Sequence, residues 1–200
     1  MQDPVNNSKT NTSQRSTLIE NVNVLTSDGW LENSRVELSG GKICAVGADV
    51  DGSASVMLNG HGGYLLPGII DLHGDAFERH ITPRAGTVFP LDLAANDASL
   101  ISNSITTFYY SITDGFEPGP RSRETVRRLL LALENLMPRF SCQSRVHIRH
   151  EKVNTELHDE LMSWIAEGRI QMLSLNDHLP ELDNPTATER YLAGLRRRVT

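Results

Sequence analysis

Residues 65–75 read LLPGIIDLHGD, an apolar run that ends in polar residues. A buried parallel strand has this pattern when its carboxyl end delivers side chains to an active site. The stretch therefore predicts the first strand of a parallel α/β fold, with His73, Gly74 and Asp75 at its functional end.

The chain beyond this strand alternates between helix-type and strand-type patterns. Apolar residues at helical spacing predict helices, and runs rich in β-branched and aromatic residues predict strands. In chain order, the predictions are a helix at 91–103, a strand at 104–113, a helix at 123–137, a strand at 145–151, a helix at 155–168 and a strand at 169–178. This alternation is typical of a parallel α/β architecture.

The segment before the first parallel strand has a different character. Residues 17–63 contain short alternating runs separated by turn signals, which predict a small antiparallel β unit. Residues 1–16 are polar and rich in Asn, Ser and Thr, which predicts a disordered tail. The predicted domains are this tail, the β unit at 17–63 and the α/β region at 64–200.

Composition narrows the class of protein. The 200-residue chain has a formal net charge of -6 and no dense block of Lys or Arg, which argues against general nucleic-acid binding. No stretch approaches the ~20 apolar residues of a membrane helix, and the first residues lack a secretory signal pattern. Cys44 and Cys142 are too few for a disulfide framework. We therefore expect a cytoplasmic protein that binds neither nucleic acid nor membrane.

Polar residues at three predicted strand ends are candidate metal ligands. His73 and Asp75 lie two residues apart, so their side chains can point the same way. Glu151 ends the HIRHE strand, and His178 ends the LSLNDH strand. Carboxyl ends of parallel strands share one face of the fold, which favours a common site. For each residue alone, the alternative is an ordinary polar strand end.

Three basic residues are candidates for binding an anionic substrate. His80 and Arg84 lie in the loop that follows the first parallel strand, and Arg149 precedes Glu151 by two residues. An arginine guanidinium can bind phosphate through two parallel hydrogen bonds. Loop solvation, or an exposed strand end for Arg149, is an equally good interpretation of each residue taken singly.

The same motifs resemble the amidohydrolase superfamily, and among its members the hydrolases of ribose methylphosphonate triphosphate in phosphonate catabolism. The resemblance rests on LLPGIIDLHGD, ERHITPRAG, HIRHE and LSLNDHLP, which occur in order. It implies a TIM-type (β/α)8 barrel that follows a small β unit. Most of the superfamily has a second histidine where this chain has Asp75, and the phosphonate-pathway enzymes share the aspartate.

The resemblance also implies a two-metal centre, with zinc or manganese as the expected ions. His73 and Asp75 would bind one metal, Glu151 would take the bridging position, and His178 would bind the second metal. The implied reaction hydrolyses a small phosphorylated sugar, ribose methylphosphonate triphosphate, to ribose methylphosphonate phosphate and pyrophosphate. The alternatives are hydrolysis of a cyclic amide or another C–N bond, and a non-catalytic truncated remnant.

The implied barrel has eight strands, and the 200 residues account for about four of them. We therefore expect a fragment, a truncated product or one half of a split enzyme. The expected protein partners are a missing C-terminal half or further copies of the chain in a homo-oligomer. Half a barrel leaves unpaired strand edges and apolar faces without cover. On this basis the isolated chain is predicted to be poorly soluble and nearly inactive.

Overall fold

The computed structural model describes residues 16–52, 54–78, 89–117, 119–181 and 183–199. The predicted tail therefore lies outside the described residues, except for Ser16, which begins the first strand. Contacts within the chain define two compact units, and the boundary between them falls between Pro67 and Gly68. In the described ranges, no helix has the length and apolar character needed to cross a membrane.

The first unit is a four-stranded sheet with the order β3-β2-β1-β4. Its strands are β1 (Ser16–Thr26), β2 (Gly29–Ser39), β3 (Lys42–Gly47) and β4 (Val56–Leu65). The pairs β1–β2 and β2–β3 are antiparallel, whereas β1 and β4 are parallel. The predicted small β unit is confirmed, and one of its three pairings is parallel.

Strand β4 is longer than the sequence suggested. The sequence predicts only a short strand at 56–58, before NGHGG, whereas the observed strand continues through the glycines, and Tyr64 and Leu65 pair with Asn23 and Val24 of β1. The first residue of the quoted stretch, Leu65, therefore belongs to the first unit. The parallel series begins four residues later, at Ile69.

The second unit alternates strands and helices around a parallel sheet with the order β5-β6-β7-β8. Its elements are β5 (Ile69–Gly74), α1 (Phe89–Ser102), β6 (Ile105–Asp114), α2 (Arg123–Leu136), a 3₁₀ turn (Met137–Arg139), β7 (Gln143–Glu151), α3 (His158–Ala166), β8 (Met172–Asn176) and α4 (Pro185–Val199). Four parallel strands with intervening helices correspond to half of an eight-stranded barrel. The predicted fold class, a partial barrel that follows a small β unit, is confirmed.

Alternation along the strands separates two faces of the parallel sheet. One face is apolar and packs against the helices in a single buried cluster, which includes Phe108, Tyr110, Ile112, Val146, Ile148, Leu129, Leu133 and Trp164. We call this the helix-facing side. Residues of the opposite parity include Ser111, Thr113, His147 and Arg149, so the other face of the strands is polar.

Helices α2 and α4 both begin at a side chain that caps the first turn. Ser122 caps α2, because its side chain accepts a hydrogen bond from the Thr125 N–H, and leucines at helical spacing bury one face. Helix α4 was not predicted, although Asn184 and Pro185 form a recognisable start signal. The Asn184 side chain accepts a hydrogen bond from the Ala187 N–H at 3.0 Å.

Candidate active site

The end of β5 contains a bulge that sets the direction of His73. Asp71 pairs with Phe108 and Gly74 pairs with Tyr110, so β5 uses three residues where β6 uses two. The Asp71 carboxylate accepts a hydrogen bond from the His73 N–H at 3.0 Å and stabilises this geometry. Bulges re-aim side chains and are common beside active sites.

Gly74 is required by packing. A Cβ atom at this position would lie 1.9 Å from a ring carbon of Phe108, far inside van der Waals contact. Phe108 is itself buried and forms edge-to-face contacts with Phe77 and Tyr110. The aromatic cluster therefore approaches the β5 backbone between His73 and Asp75.

Arg149 contacts both candidate ligands at the end of β5. Its Nη1 lies 3.3 Å from Nε2 of His73 and 3.9 Å from Oδ2 of Asp75. Its Nη2 donates a hydrogen bond to the Thr113 hydroxyl at 3.0 Å. The side chain is only 10% exposed, and its Nε–H has no hydrogen-bond partner among the described residues. The guanidinium thus contacts both His73 and Asp75, and its buried Nε–H lacks an acceptor among the described residues.

His147, on the same face of β7 as Arg149, contacts the three other strands of the parallel sheet. Its Nδ1 lies 2.9 Å from the Ser111 hydroxyl and 3.3 Å from the Leu72 carbonyl oxygen, and its Nε2 lies 3.0 Å from the Ser174 hydroxyl. A carbonyl oxygen only accepts, so Nδ1 carries the proton and Nε2 accepts from Ser174. Burial lowers the pKa of His147 and favours this neutral form.

His147 is not among the site residues predicted from the sequence. The available signal was its spacing, because residues 147, 149 and 151 alternate toward one face of β7.

Glu151 and His178 form the second candidate pair. Oε1 of Glu151, which is buried, lies 2.5 Å from Nδ1 of His178, which is exposed. The backbone around them is held by a hydrogen bond from the Lys152 N–H to the Asn176 carbonyl at 2.9 Å. The ends of β7 and β8 are thereby fixed beside each other.

The four predicted metal ligands form two pairs, His73 with Asp75 around Arg149, and Glu151 with His178. Within the described part of the chain, no group of three or more His, Cys, Asp or Glu side chains is arranged to hold a metal ion. The donor types do suit zinc or manganese, since imidazole and carboxylate are ligands of both. The ligand assignment stays a prediction, and His80 and Arg84 lie outside the described residues.

A second polar group lies on the helix-facing side of the same strand ends. Asp114, at the end of β6, is fully buried and contacts Arg123 and His150. Asp114 is not among the residues predicted from the sequence, because its contact with His150 depends on the pairing of these two residues across β6 and β7.

Comparison with known proteins adds evolutionary evidence to this geometry. Over 179 residues, the chain is 26% identical to alpha-D-ribose 1-methylphosphonate 5-triphosphate diphosphatase of Escherichia coli (strain K12), covering 87% of this chain and 47% of that protein. A sequence model of the N-terminal domain of formimidoylglutamate deiminase matches residues 18–55. The predicted resemblance to the amidohydrolase superfamily is confirmed.

Solved structures agree in fold. An adenosine deaminase from Xanthomonas campestris with bound zinc gives a TM-score of 0.55 at 16% identity, over 90% of this chain and 54% of that one. An N-acetylglucosamine-6-phosphate deacetylase from Pasteurella multocida gives a TM-score of 0.51 at 16% identity, over 92% and 48%. The chain spans about half the length of the proteins it matches.

Proposed function

We propose that the chain belongs to a metal-dependent hydrolase that cleaves alpha-D-ribose 1-methylphosphonate 5-triphosphate to the 5-phosphate and pyrophosphate. The observation that supports this most strongly is the similarity to the Escherichia coli diphosphatase over 87% of the chain. The buried guanidinium of Arg149 beside His73 and Asp75 supports an anionic substrate over a neutral one.

The proposed metal ligands are His73 and Asp75 for one ion, His178 for the other, and Glu151 between them. A pair of zinc or manganese ions, when bound, supplies Lewis-acid chemistry and lowers the pKa of an attacking water. Glu151 and His178 are held against each other at the ends of β7 and β8. Asp71 fixes the backbone of His73 through its hydrogen bond to the N–H.

Arg149 is the proposed substrate-binding residue on the described part of the chain. Its Nε–H is buried and lacks an acceptor among the described residues, and an unpaired buried donor is costly. A phosphoryl oxygen is a suitable acceptor, and the charged hydrogen bond would be strong. His80 and Arg84 are proposed as further contacts to the triphosphate.

Hydrolysis of a C–N bond is the second candidate. The match of residues 18–55 to a deiminase domain favours it. That match lies wholly within the first unit, however, and all the proposed ligands belong to the second unit. We therefore rank triphosphate hydrolysis first.

Substrate assays on the purified chain separate the candidates. With zinc or manganese present, we expect little turnover by the chain alone and pyrophosphate release from the triphosphate once a separately made C-terminal half is added. That release should be lost in Asp75→Asn and Arg149→Met. Arg145→Met is the matched control, since Arg145 lies earlier on β7 at the opposite end of the sheet. Turnover of a cyclic amide in place of the triphosphate would favour the second candidate. No turnover of either substrate, including after a separately made C-terminal half is added, would favour a non-catalytic remnant.

A further inference from the structure

Asp114 is a buried carboxylate with three charged or polar contacts. Arg123 donates from Nε to Oδ1 and from Nη2 to Oδ2, both at 2.7 Å. His150 donates from Nδ1 to Oδ2, also at 2.7 Å. The Asp114 side chain has 0% exposure, and those of Arg123 and His150 have 8% and 6%. Arg123 and Asp114 thus form a bidentate ion pair that is buried from solvent, and the His150 imidazole donates a further hydrogen bond to it.

The group connects four parts of the second unit. From α2, Arg123 also donates through Nη1 to the Leu157 carbonyl at 2.8 Å and to Glu160 of α3 at 3.3 Å. Asn154, in the segment after β7, donates to the Asp114 main-chain oxygen at 3.3 Å. The Asn154 N–H in turn donates to the Glu151 carbonyl at 2.9 Å. Strands β6 and β7, helix α2 and the start of α3 are therefore linked by one hydrogen-bond network centred on Asp114 and Arg123.

Stability alone is a weak explanation for such a group. Apolar side chains of similar volume often stabilise a core as well as, or better than, a buried ion pair. What a fully bonded polar group supplies is a single geometry, because each donor must stay aimed at its acceptor. The helix-facing side already contains an apolar cluster for stability.

The position of His150 shows which geometry is fixed. It lies between Arg149 and Glu151, and successive side chains of a strand point to opposite faces. Holding His150 on the helix-facing side fixes the rotation of the strand end about its axis. That rotation determines where Arg149 and Glu151 point on the other face.

We infer that Asp114 and His150 are positioning residues, whose hydrogen bond sets the directions of Arg149 and Glu151 at the site. The inference rests on the proposed function for its catalytic meaning. The claim that His150 sets the direction of the Glu151 side chain rests on the described contacts alone.

Two substitutions at His150 test it. His150→Asn keeps an N–H donor near the position of Nδ1, whereas His150→Leu removes the donor at similar volume. Leu133→Ala is the control for stability, because Leu133 is buried in the same helix-facing cluster and lacks a polar contact to the group. All three retain the Asp114–Arg123 ion pair.

The first readout is the imidazole ¹⁵N spectrum of His178, assigned with His178→Gln, which reports the hydrogen bond to Glu151. The second is the affinity for Mn²⁺ or Zn²⁺ by calorimetry. We expect His150→Leu to shift the His178 signal and to weaken metal binding about 10- to 100-fold, the usual effect of losing an outer hydrogen-bond partner. His150→Asn should stay close to the wild type in both.

A purely structural role gives a different result. His150→Leu would then lower the thermal midpoint as Leu133→Ala does, with the His178 signal and the metal affinity unchanged, and the inference would be overturned. If the wild-type chain binds no metal, alone or with a separately made C-terminal half, the proposed function fails. The His178 spectrum of the three variants still decides whether His150 positions Glu151.

Discussion

The two faces of strand β7 differ in composition and in physical role. On the helix-facing side, Val146 and Ile148 are buried in the apolar cluster. On the opposite face, His147 and Arg149 are also buried, yet each is surrounded by polar atoms of neighbouring strands. Apolar burial stabilises the sheet at about 25 cal/mol per Å², whereas buried polar groups contribute little net free energy unless every partner is in place. The helix-facing side therefore stabilises the sheet, and this stability allows the opposite face to bury the hydrogen-bond donors of His147 and Arg149.

The largest effect is expected on the helix-facing side. Ile148→Ala removes buried methyl and methylene groups from a residue with no exposed surface, and should lower the free energy of unfolding by about 2–5 kcal/mol. Urea unfolding, followed by Trp164 fluorescence in a Trp30→Phe background, measures it in the second unit.

Ile148→Val is the graded control, with an expected cost of about 0.5–1.5 kcal/mol. On the polar face, Ser174→Ala should cost less than Ile148→Ala, since it removes one hydroxyl from a half-buried position. Equal losses for Ile148→Ala and Ser174→Ala would break the distinction between the two faces.

Gly74→Ala tests the point at which the aromatic cluster meets the site. The added Cβ would overlap the Phe108 ring, so either the ring or the β5 backbone must move. Overpacking of this kind should cost about 1–3 kcal/mol. The same urea titration serves as the measurement.

Phe108→Leu supplies the matched test, because it removes the ring that causes the overlap. In the double variant, the cost of Gly74→Ala should be smaller by about 0.5–3 kcal/mol than in the wild type. Additive costs would mean that Gly74 is needed for a reason other than the Phe108 ring.

Much of this architecture follows from local patterns. The alternation of helix and strand after residue 68 was predictable, because apolar periodicity directly reflects which side of an element is buried. The extension of β4 through glycines 60, 62 and 63 was not, since its partner is β1, some forty residues earlier in the chain. Glycine-rich segments carry no apolar alternation to indicate such a pairing.

The candidate site was predictable in one respect. Polar residues at the carboxyl ends of parallel strands meet at one edge, and on this basis His73, Asp75, Glu151 and His178 were expected to converge. The structure brings His73 and Asp75 to Arg149, and Glu151 to His178. The contacts of Asp114 could not be anticipated, because they depend on strand register and on the placement of α2 beside β6. The contact of the Arg149 guanidinium with both His73 and Asp75 likewise depends on side-chain packing.

A smaller effect is expected from the pH response of His147. Burial lowers its pKa below the ordinary 6.5, so the unfolded chain binds a proton more readily than the folded one. The stability due to neutral His147 is fully present above about pH 6.5 and is lost as the pH falls through the lowered folded pKa. Between pH 7.5 and 5.5, wild type should lose more free energy of unfolding than His147→Gln. An identical loss would place His147 outside the low-pH response.

The smallest perturbation is chemical labelling of the cysteines, which probes the helix-facing side without changing its packing. Cys142 is buried there, and burial, with a contribution from Asp97, raises the pKa of its thiol to about 11. At pH 8, only about one thiol in a thousand would be a thiolate, the reactive form. Cys44 is exposed in the first unit.

An aromatic disulfide reagent should therefore modify about one thiol per folded chain quickly, and the second only as the helix-facing side opens. Cys44→Ser should abolish the fast phase, and Ile148→Ala should accelerate the slow one, because a weakened cluster opens more often. Rapid modification of both thiols in the folded wild type would show that the helix-facing side is not the closed, stabilising face of the sheet.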